Sequence, residues 1–334
     1  MIVWLEFLAI ALVIAAGGFG LSRFGGVIAE RTGINGGWIG LALLASVTSL
    51  PELTSGIASV TVAHAPNIAV GTVLGSCLFN LMILAVVDAL YRKAPVFTRA
   101  SHGHIMSTNF ATLLLGLVGL NILLPAGADK LAIGDVGGVT VVIVLVYLLA
   151  LRLVYSYDHR QTLDPPDEIS AAFPHISLRA AAWGYAACSA VVIVAGLLLP
   201  PVAVDMAQAM GWSNTFVGTL FVAAATSMPE LAVTVFAVRF GAVNMAVGNL
   251  LGSNLFNMVV LAVDDVAFVK GPLLSNVSQV HAATVLSVLV MNGIASVALV
   301  YRPTKRLLKT VSWASLGLVA VYLLTSWLIF LHGD

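Results

Sequence analysis

Residues 45–53 read ASVTSLPEL, and residues 223–231 read AAATSMPEL, six identities in nine positions. A second pair follows the first. Residues 68–85 read IAVGTVLGSCLFNLMILA, and residues 245–262 read MAVGNLLGSNLFNMVVLA, eleven identities in eighteen. The offset is 178 in the first block and 177 in the second, so a one-residue gap lies between them. Shared apolar composition accounts for the matched Leu, Val and Ala. It does not account for Thr-Ser, Pro-Glu, Gly-Ser and Phe-Asn recurring at matched spacing. The chain therefore carries an internal repeat.

The sequence around these blocks reads as a membrane protein. Of its 334 residues 60% are hydrophobic and only 9% charged, too few charges to cover a water-facing globule, whose usual share is roughly a quarter. Apolar runs approach the ~20 residues that span hydrocarbon as a helix. Ten candidate helices are predicted, at about 2–22, 37–63, 67–91, 105–126, 131–155, 178–200, 214–238, 243–268, 279–301 and 309–332. The longest polar connection, 156–177, divides them five and five. An odd number of spans in each half makes the second copy enter the membrane from the opposite face. The expected fold is an all-α integral membrane protein of ten transmembrane helices in two inverted five-helix repeats, residues 1–155 and 178–334, joined by a cytoplasmic linker at 156–177.

Basic residues set the orientation, because cytoplasmic loops carry the excess. Counting spans puts Arg23, Arg31, Arg92, Lys93, Arg99, Arg152, Arg160, Arg179, Arg239, Arg302, Lys305, Arg306 and Lys309 on one side, and Lys130 and Lys270 on the other. Thirteen against two makes the first side cytoplasmic and both termini extracytoplasmic. The first apolar stretch carries Glu6 and no basic lead-in, so it reads as a span and not a cleaved signal. Zero net charge argues against a nucleic-acid partner. Cys77 and Cys188 both sit in apolar segments and read as free thiols.

Glu52 and Glu230 fall mid-span at equivalent positions. A carboxylate at bilayer depth costs at least ~2.5–3.5 kcal/mol on insertion scales. No Lys or Arg lies mid-span to pair with them, so a cation from solution is the natural counter-charge. Pro51 and Pro229 precede them, lack an N–H and crowd the carbonyls of Val47 and Ala225. The broken helices then offer carbonyls beside Thr48-Ser49 and Thr226-Ser227. Such hard oxygen donors suit calcium, which takes 6–8 oxygens in flexible geometry. Gly75-Ser76 with Asn80, and Gly252-Ser253 with Asn257, add polar groups one helical turn apart. Glycines 71, 75, 248 and 252 form small-residue faces for close packing. Asp88, its equivalent Asp265, and Asp264 lie near span ends, either as solvated helix-end carboxylates or as cation-attracting entrances. His102 and His104 read as a solvated loop. No HExxH, P-loop or GxSxG motif is present, so an enzyme is not expected.

These paired blocks resemble the two alpha-repeats of the calcium/cation antiporter superfamily, especially its ten-helix prokaryotic sodium/calcium exchangers. The resemblance implies an antiporter of the prokaryotic inner membrane, exchanging calcium for sodium, or for protons, by alternating access. It implies no cofactor. It implies that Glu52 and Glu230 ligate calcium, that Thr48, Ser49, Thr226, Ser227, Ser76 and Ser253 complete the ion sites, that the carbonyls of Ala45 and Ala223 serve flanking sodium sites, and that Asn80 and Asn257 complete the centre. Family members often carry Asp where this chain has Asn257. Thr72 and Cys77 stand where the second copy keeps Asn249 and Asn254. A channel is the rival that would conduct without a counter-ion. The topology has a direct test. Single cysteines at Met1, in 126–131 and at Asp334 should label from outside the cell, and those in 92–104 and 156–177 only from the cytoplasm. Termini labelling from opposite sides would break the inverted repeat.

Overall fold

The computed structural model describes the chain except residues 33–44, 125–131, 161–175, 240, 308–309 and 334. The described helices, in chain order, are α1 Ile2–Thr32, α2 Leu50–Thr61, α3 Pro66–Leu90, α4 Gly103–Leu123, α5 Gly138–Arg160, α6 Leu178–Met210, α7 Asn214–Thr226, α8 Met228–Arg239, α9 Val243–Ala267, α10 Val280–Tyr301 and α11 Trp313–His332. Eight are long and apolar enough to cross a bilayer, or nine when α7 and α8 count as one span bent by 44°. The protein is thus an all-helical, multi-pass membrane protein. The span expected at 37–63 begins outside the described residues; its described part holds the helical residues 45–48 and α2. The 126–131 loop and most of the 156–177 linker also lie outside them.

Two helices outrun their expected ends. α1 continues past residue 22 to Thr32, carrying Arg23 and Arg31 on the helix. α6 runs through Pro200-Pro201 to Met210, although the sequence suggests a stop at 200. The two prolines remove only the backbone bonds to Gly196 and Leu197. Leu199, Pro200, Ala203 and Met206 are buried against neighbouring helices, and that packing carries the helix across the defect. α6 then ends where a helix should, at Gly211 with φ +67°, the left-handed cap that glycine adopts without strain.

The repeat blocks occupy the centre. In α3 and α9, 89% and 78% of the membrane window is buried, against 22% for α1 and α5 and 28% for α11. The outer helices turn Leu, Val and Trp outward, as a lipid-facing surface requires. Close approach holds the centre together. A Cβ on Gly75 would sit 2.1 Å from the Thr219 carbonyl oxygen and 2.7 Å from the Ala223 Cβ, so α3 lies directly on α7 and only glycine fits. In α7 the stretch Val217–Val222 is a π-helix, a widening often found at functional sites.

Contacts across the two parts of the chain recur in matched pairs. Asn67 accepts from the Ser278 N–H at 2.8 Å, and Asn244 accepts from the Ser101 N–H at 2.7 Å. Asp88 accepts from the N–H groups of Val96 (2.9 Å) and Ser312 (2.8 Å) and from the Ser315 hydroxyl (2.6 Å). Asp265 accepts from the N–H groups of Leu273 (2.6 Å) and Gly137 (2.9 Å) and from the Thr140 hydroxyl. Each aspartate binds the loop after its own helix to the start of a helix from the other part of the chain, α11 and α5. With 0% and 3% exposure they are neither solvated helix-end carboxylates nor open entrances. They are clamps, placed where a helix N-terminus favours negative charge.

The two ends of the bundle differ. At one, Arg306 donates to the carbonyls of Tyr91, Ala94 and Thr310, and Arg302 to that of Ala100, so the loop after α3 meets Arg302 and Arg306 there. At the other, Trp4 packs edge-on against Trp212 and Phe330 against Phe216, which places α1's start and α11's end together. Asp88→Asn and Asp265→Asn present an amide to fixed N–H donors. Each should lower the thermal unfolding temperature in detergent, by the equivalent of about 1.5–3 kcal/mol for a lost charged hydrogen bond. Unchanged melting would show that the aspartates clamp nothing.

Candidate ion-binding site

The two Thr-Ser-x-Pro-Glu segments break their helices in the same way. The helical residues 45–48 end at Ser49, with φ −87° and ψ 13°, and α2 begins at Leu50. α7 ends at Ser227, with φ −85° and ψ 9°, and α8 begins at Met228. The prolines therefore do not weaken a continuous helix; they open a new one. Each stands second in its helix, where a missing N–H costs nothing. Glu52 and Glu230 follow in the first turn, where the helix dipole favours an anion.

Seryl hydroxyls hold the two carboxylates in a reciprocal arrangement. Ser49 donates to Oε1 of Glu230 at 2.9 Å, and Ser227 donates to Oε1 of Glu52 at 3.0 Å. Ser76 donates to the same Glu52 oxygen at 3.2 Å, and Ser253 to that of Glu230 at 3.3 Å. Each Glu thus takes one hydroxyl from its own repeat block and one from the other. All twelve residues singled out from the sequence are buried, none more than 1% exposed.

One oxygen of each carboxylate is used and the other is not. Oε2 of Glu52, Oε2 of Glu230, Oδ1 of Asn80 and Oδ1 of Asn257 are buried without a hydrogen-bond partner. Four orphaned acceptors in one protein centre are costly unless something satisfies them. A water, a proton or a cation can satisfy a carboxylate oxygen, and calcium is the ion that favours several such oxygens together. The carbonyls of Ala45 and Ala223 each accept a backbone N–H, from Ser49 (3.1 Å) and Ser227 (3.0 Å). They also accept the hydroxyls of Thr48 (3.1 Å) and Thr226 (3.2 Å).

Sequence reasoning passed over a second polar layer. Asn249 accepts from Thr48 at 3.3 Å and donates to the Glu230 carbonyl at 3.5 Å and to Thr234 at 3.3 Å. Asn254 accepts from Asn80 at 3.0 Å and donates to the Cys77 carbonyl at 3.3 Å. Asn257 reaches the Cys77 sulfur at 3.7 Å. The signal was the unmatched asparagines themselves. Their counterparts Thr72 and Cys77 cannot do the same; Thr72 bonds only the Ile68 carbonyl in its own helix, at 2.7 Å. The site is symmetric in its serines and glutamates and asymmetric in its amides.

Other expectations change. His104 is buried at the start of α4 and Nε2 lacks a partner, so it is not part of a solvated loop. Among the described residues no group of three or more His, Cys, Asp or Glu could hold a metal, which leaves the oxygens around two glutamates. Cys77 is buried and Cys188 half-buried, both free. A cleft lined by Ala45, Ser46, His104, Ser107, Gly248 and Gly252 leads to the Thr48 side of the centre. It opens at the end of the bundle where α4 and α9 begin, the end that carries the arginine-bound loops.

Comparison with known proteins gives the family and the fold. Residues 2–156 and 180–331 match the family model "Sodium/calcium exchanger protein". The chain is 28% identical over 224 residues to inner membrane protein YrbG of Escherichia coli (strain K12), a match covering 67% of this chain and 66% of that one. A solved structure of the sodium-calcium exchanger NCX_Mj shares the fold with a TM-score of 0.64 and 20% identity over 97% of both chains. The H+/Ca2+ exchanger CAX shares it with a TM-score of 0.69 and 13% identity, over 98% of this chain and 86% of that one. Two broken helices with their glutamates, held by reciprocal serines in a membrane bundle, are what a cation transporter without enzymatic chemistry needs, and the chain belongs to the sodium/calcium exchanger protein family.

Proposed function

We propose that the protein is a secondary active antiporter that exchanges calcium for sodium by alternating access, with Glu52 and Glu230 as the principal calcium ligands. The observation that carries this reading is the set of orphaned acceptors, Oε2 of both glutamates and Oδ1 of Asn80 and Asn257. Calcium between the glutamates gains their two negative charges and those amide oxygens. Ser49, Ser76, Ser227 and Ser253 already orient the carboxylates, so little ordering remains to be done on binding. Thr48, Thr226 and the carbonyls of Ala45 and Ala223 lie a turn away and serve sodium. A filled, neutral site can pass the apolar barrier, whereas two bare carboxylates resist occlusion. This couples calcium movement to the counter-ion.

The ten-span, inverted arrangement is part of the same proposal, with repeats at 1–155 and 178–334 and a cytoplasmic linker at 156–177. The equal backbone angles at Ser49 and Ser227 support it. So do the matched clamps of Asn67 with Asn244 and Asp88 with Asp265. The meeting of Trp4 with Trp212 and of Phe216 with Phe330 puts both termini at one end of the bundle, as an even span count requires. The arginine-bound loops lie at the other end, which we assign to the cytoplasm. The location, by analogy with the inner-membrane relative, is a prokaryotic inner membrane.

A second reading, calcium/proton antiport, draws on the same oxygens. Two protons, one on each orphaned Oε2, would neutralise the pair as one calcium does. The likeness to CAX favours keeping it. Proteoliposomes decide between the two: calcium uptake driven by an outward sodium gradient at equal pH supports sodium, and uptake driven only by a proton gradient supports protons. In either case Glu52→Gln and Glu230→Gln should each reduce exchange to the background of empty vesicles while eluting as folded protein. Wild-type exchange by one of them removes that residue from the site. Asn257→Asp adds a third acid to the centre, where like charges resist ionising together. It should tighten calcium binding at alkaline pH and make exchange fall more steeply as the pH drops. An unchanged calcium affinity, sodium competition and pH profile would show that Asn257 faces away from the ions.

A further inference from the structure

Asp264 is fully buried, and among the described residues neither of its carboxylate oxygens has a hydrogen-bond partner. It stands apart from the clamp made by Asp265 beside it. Its carboxylate lies on the backbone of Gly56 in α2, where an added Cβ would be 2.4 Å from each oxygen. Glycine is what leaves room for it.

Its position relates it to the exchange site. α2 and α9 run side by side in the same direction. Gly252 meets Ala45, Ser253 meets Thr48, and Asp264 meets Gly56. Along α9, Ser253, Asn257 and Asp264 recur at helical spacing on one face. Along α2, Glu52, Ser55, Gly56 and Ser59 do the same. Ser55 is fully buried and its hydroxyl, too, has no partner. A file of unsatisfied oxygens therefore leads from Glu52 and Asn257 through Ser55 to Asp264. It ends at the face where the chain termini lie, opposite the cleft that reaches Ala45. The other repeat has no such file. The residues 177 or 178 positions away from Asp264, Ser55 and Ser59 are Val87, Val233 and Ala237, all buried and apolar. This is a one-sided addition to a two-fold scaffold.

The donors present decide what Asp264 holds. Calcium takes 6–8 oxygens, and no cluster of three ligating residues occurs here among the described residues. A proton needs one oxygen. Among the described residues, the charged and titratable groups beside these helices on the face where the file ends are Lys270 after α9, His64 after α2 and Asp135 before α5, all exposed. Of the elements packed on α9, α2 offers only Glu52. α3 brings Cys77 at the centre and Asp88 at the far end. α8 brings Glu230 and, at the far end, Arg239. His104, Tyr147 and Arg152 of α4 and α5 are also toward the far end. Asp265 is the ionisable neighbour, and its oxygens already accept from Leu273, Gly137 and Thr140.

We propose that Asp264 is a proton-binding site that gates the cation route between Glu52 and the face where α2 and α9 end. With that route closed, an ionised carboxyl without partners is prohibitively placed, and Asp264 carries a proton. As the route opens and water enters, the proton leaves to the same face, and the carboxylate draws a cation toward Glu52. The proton returns to the side it came from, so the exchange stoichiometry does not change. Acid on that face holds the route neutral and slows exchange.

The proposal rests on the exchange-site reading above, and its test separates the two. Calcium exchange is measured in oriented proteoliposomes while pH is varied on one face at a time, with wild type, Asp264→Asn and Asp264→Glu. Wild type should slow as the α2/α9 face is acidified. Asp264→Asn, permanently neutral, should be insensitive to pH on that face and should raise the calcium KM there roughly tenfold. Its response to pH on the opposite face should match wild type, and Asp264→Glu should restore a sloping profile. A protonated-carboxyl band in the infrared difference spectrum should be present in wild type and missing from Asp264→Asn. This readout needs no transport, so absence of any calcium exchange would sink the antiporter reading while the band still judged Asp264. An Asp264→Asn pH profile equal to wild type overturns the proposal, as does altered sodium competition with the pH profile retained. If Asp264→Asn does not fold, the wild type decides alone: exchange indifferent to pH on that face overturns it.

Discussion

Two carboxylates in the buried centre, whose side-chain partners among the described residues are hydroxyls, set the terms for the rest of this molecule. An unpaired charge in hydrocarbon is expensive, and neither Glu52 nor Glu230 has a basic partner among the described residues. Burial must therefore come with oriented dipoles. The broken helices supply helix N-termini, and the four serines supply one fixed oxygen contact each. One oxygen of each carboxylate is thereby held, and the other has no hydrogen-bond partner among the described residues. A site fully satisfied by protein groups would have nothing to gain from an ion.

That arrangement demands close packing around it. Serine hydroxyls are short, so α3 and α9 must lie against the two helix breaks for Ser76 and Ser253 to reach. Gly75 makes this possible by letting α3 touch the backbone of α7 at Thr219. The clamps at Asp88 and Asp265 work at the rim in the same sense. They fasten the outer helices α11 and α5 to the central pair without entering the site. Central helices buried on nearly every side then tolerate polar faces, and the peripheral helices α1, α5 and α11 meet the lipid.

The two sequence blocks are alike in their Thr-Ser, Pro-Glu and Gly-Ser positions, and they differ at a few polar positions. The serines and glutamates keep their two-fold relation. The amides do not: Asn249 and Asn254 correspond to Thr72 and Cys77 in the other sequence block. Nor do the acids, since Val87 stands where Asp264 would be repeated. An exchanger works between two different solutions, and such one-sided residues are where a symmetric scaffold can treat its two faces differently.

Much of this was legible in the chain. Hydropathy gave the helices, because a bilayer leaves the backbone no other way to satisfy its hydrogen bonds. The repeat marked Thr48 to Glu52 and Thr226 to Glu230, because polar residues in apolar runs persist only with a purpose. The twelve residues named from the repeat and from the family resemblance are all buried, and hydrogen bonds join the two glutamates to four serines among them. Local patterns misjudged what depends on neighbours. Asp88 and Asp265 read either as solvated helix ends or as cation-attracting entrances because their partners, Ser312 and Gly137, are distant in sequence. α6 was cut short at Pro200-Pro201 because propensity cannot see the packing that carries a helix across a proline. His104 read as exposed because only the bundle buries it. Sequence fixes which residues are too costly to bury without a reason; the tertiary structure alone decides what each one faces, since hydrogen bonds and packing join residues that the chain keeps far apart.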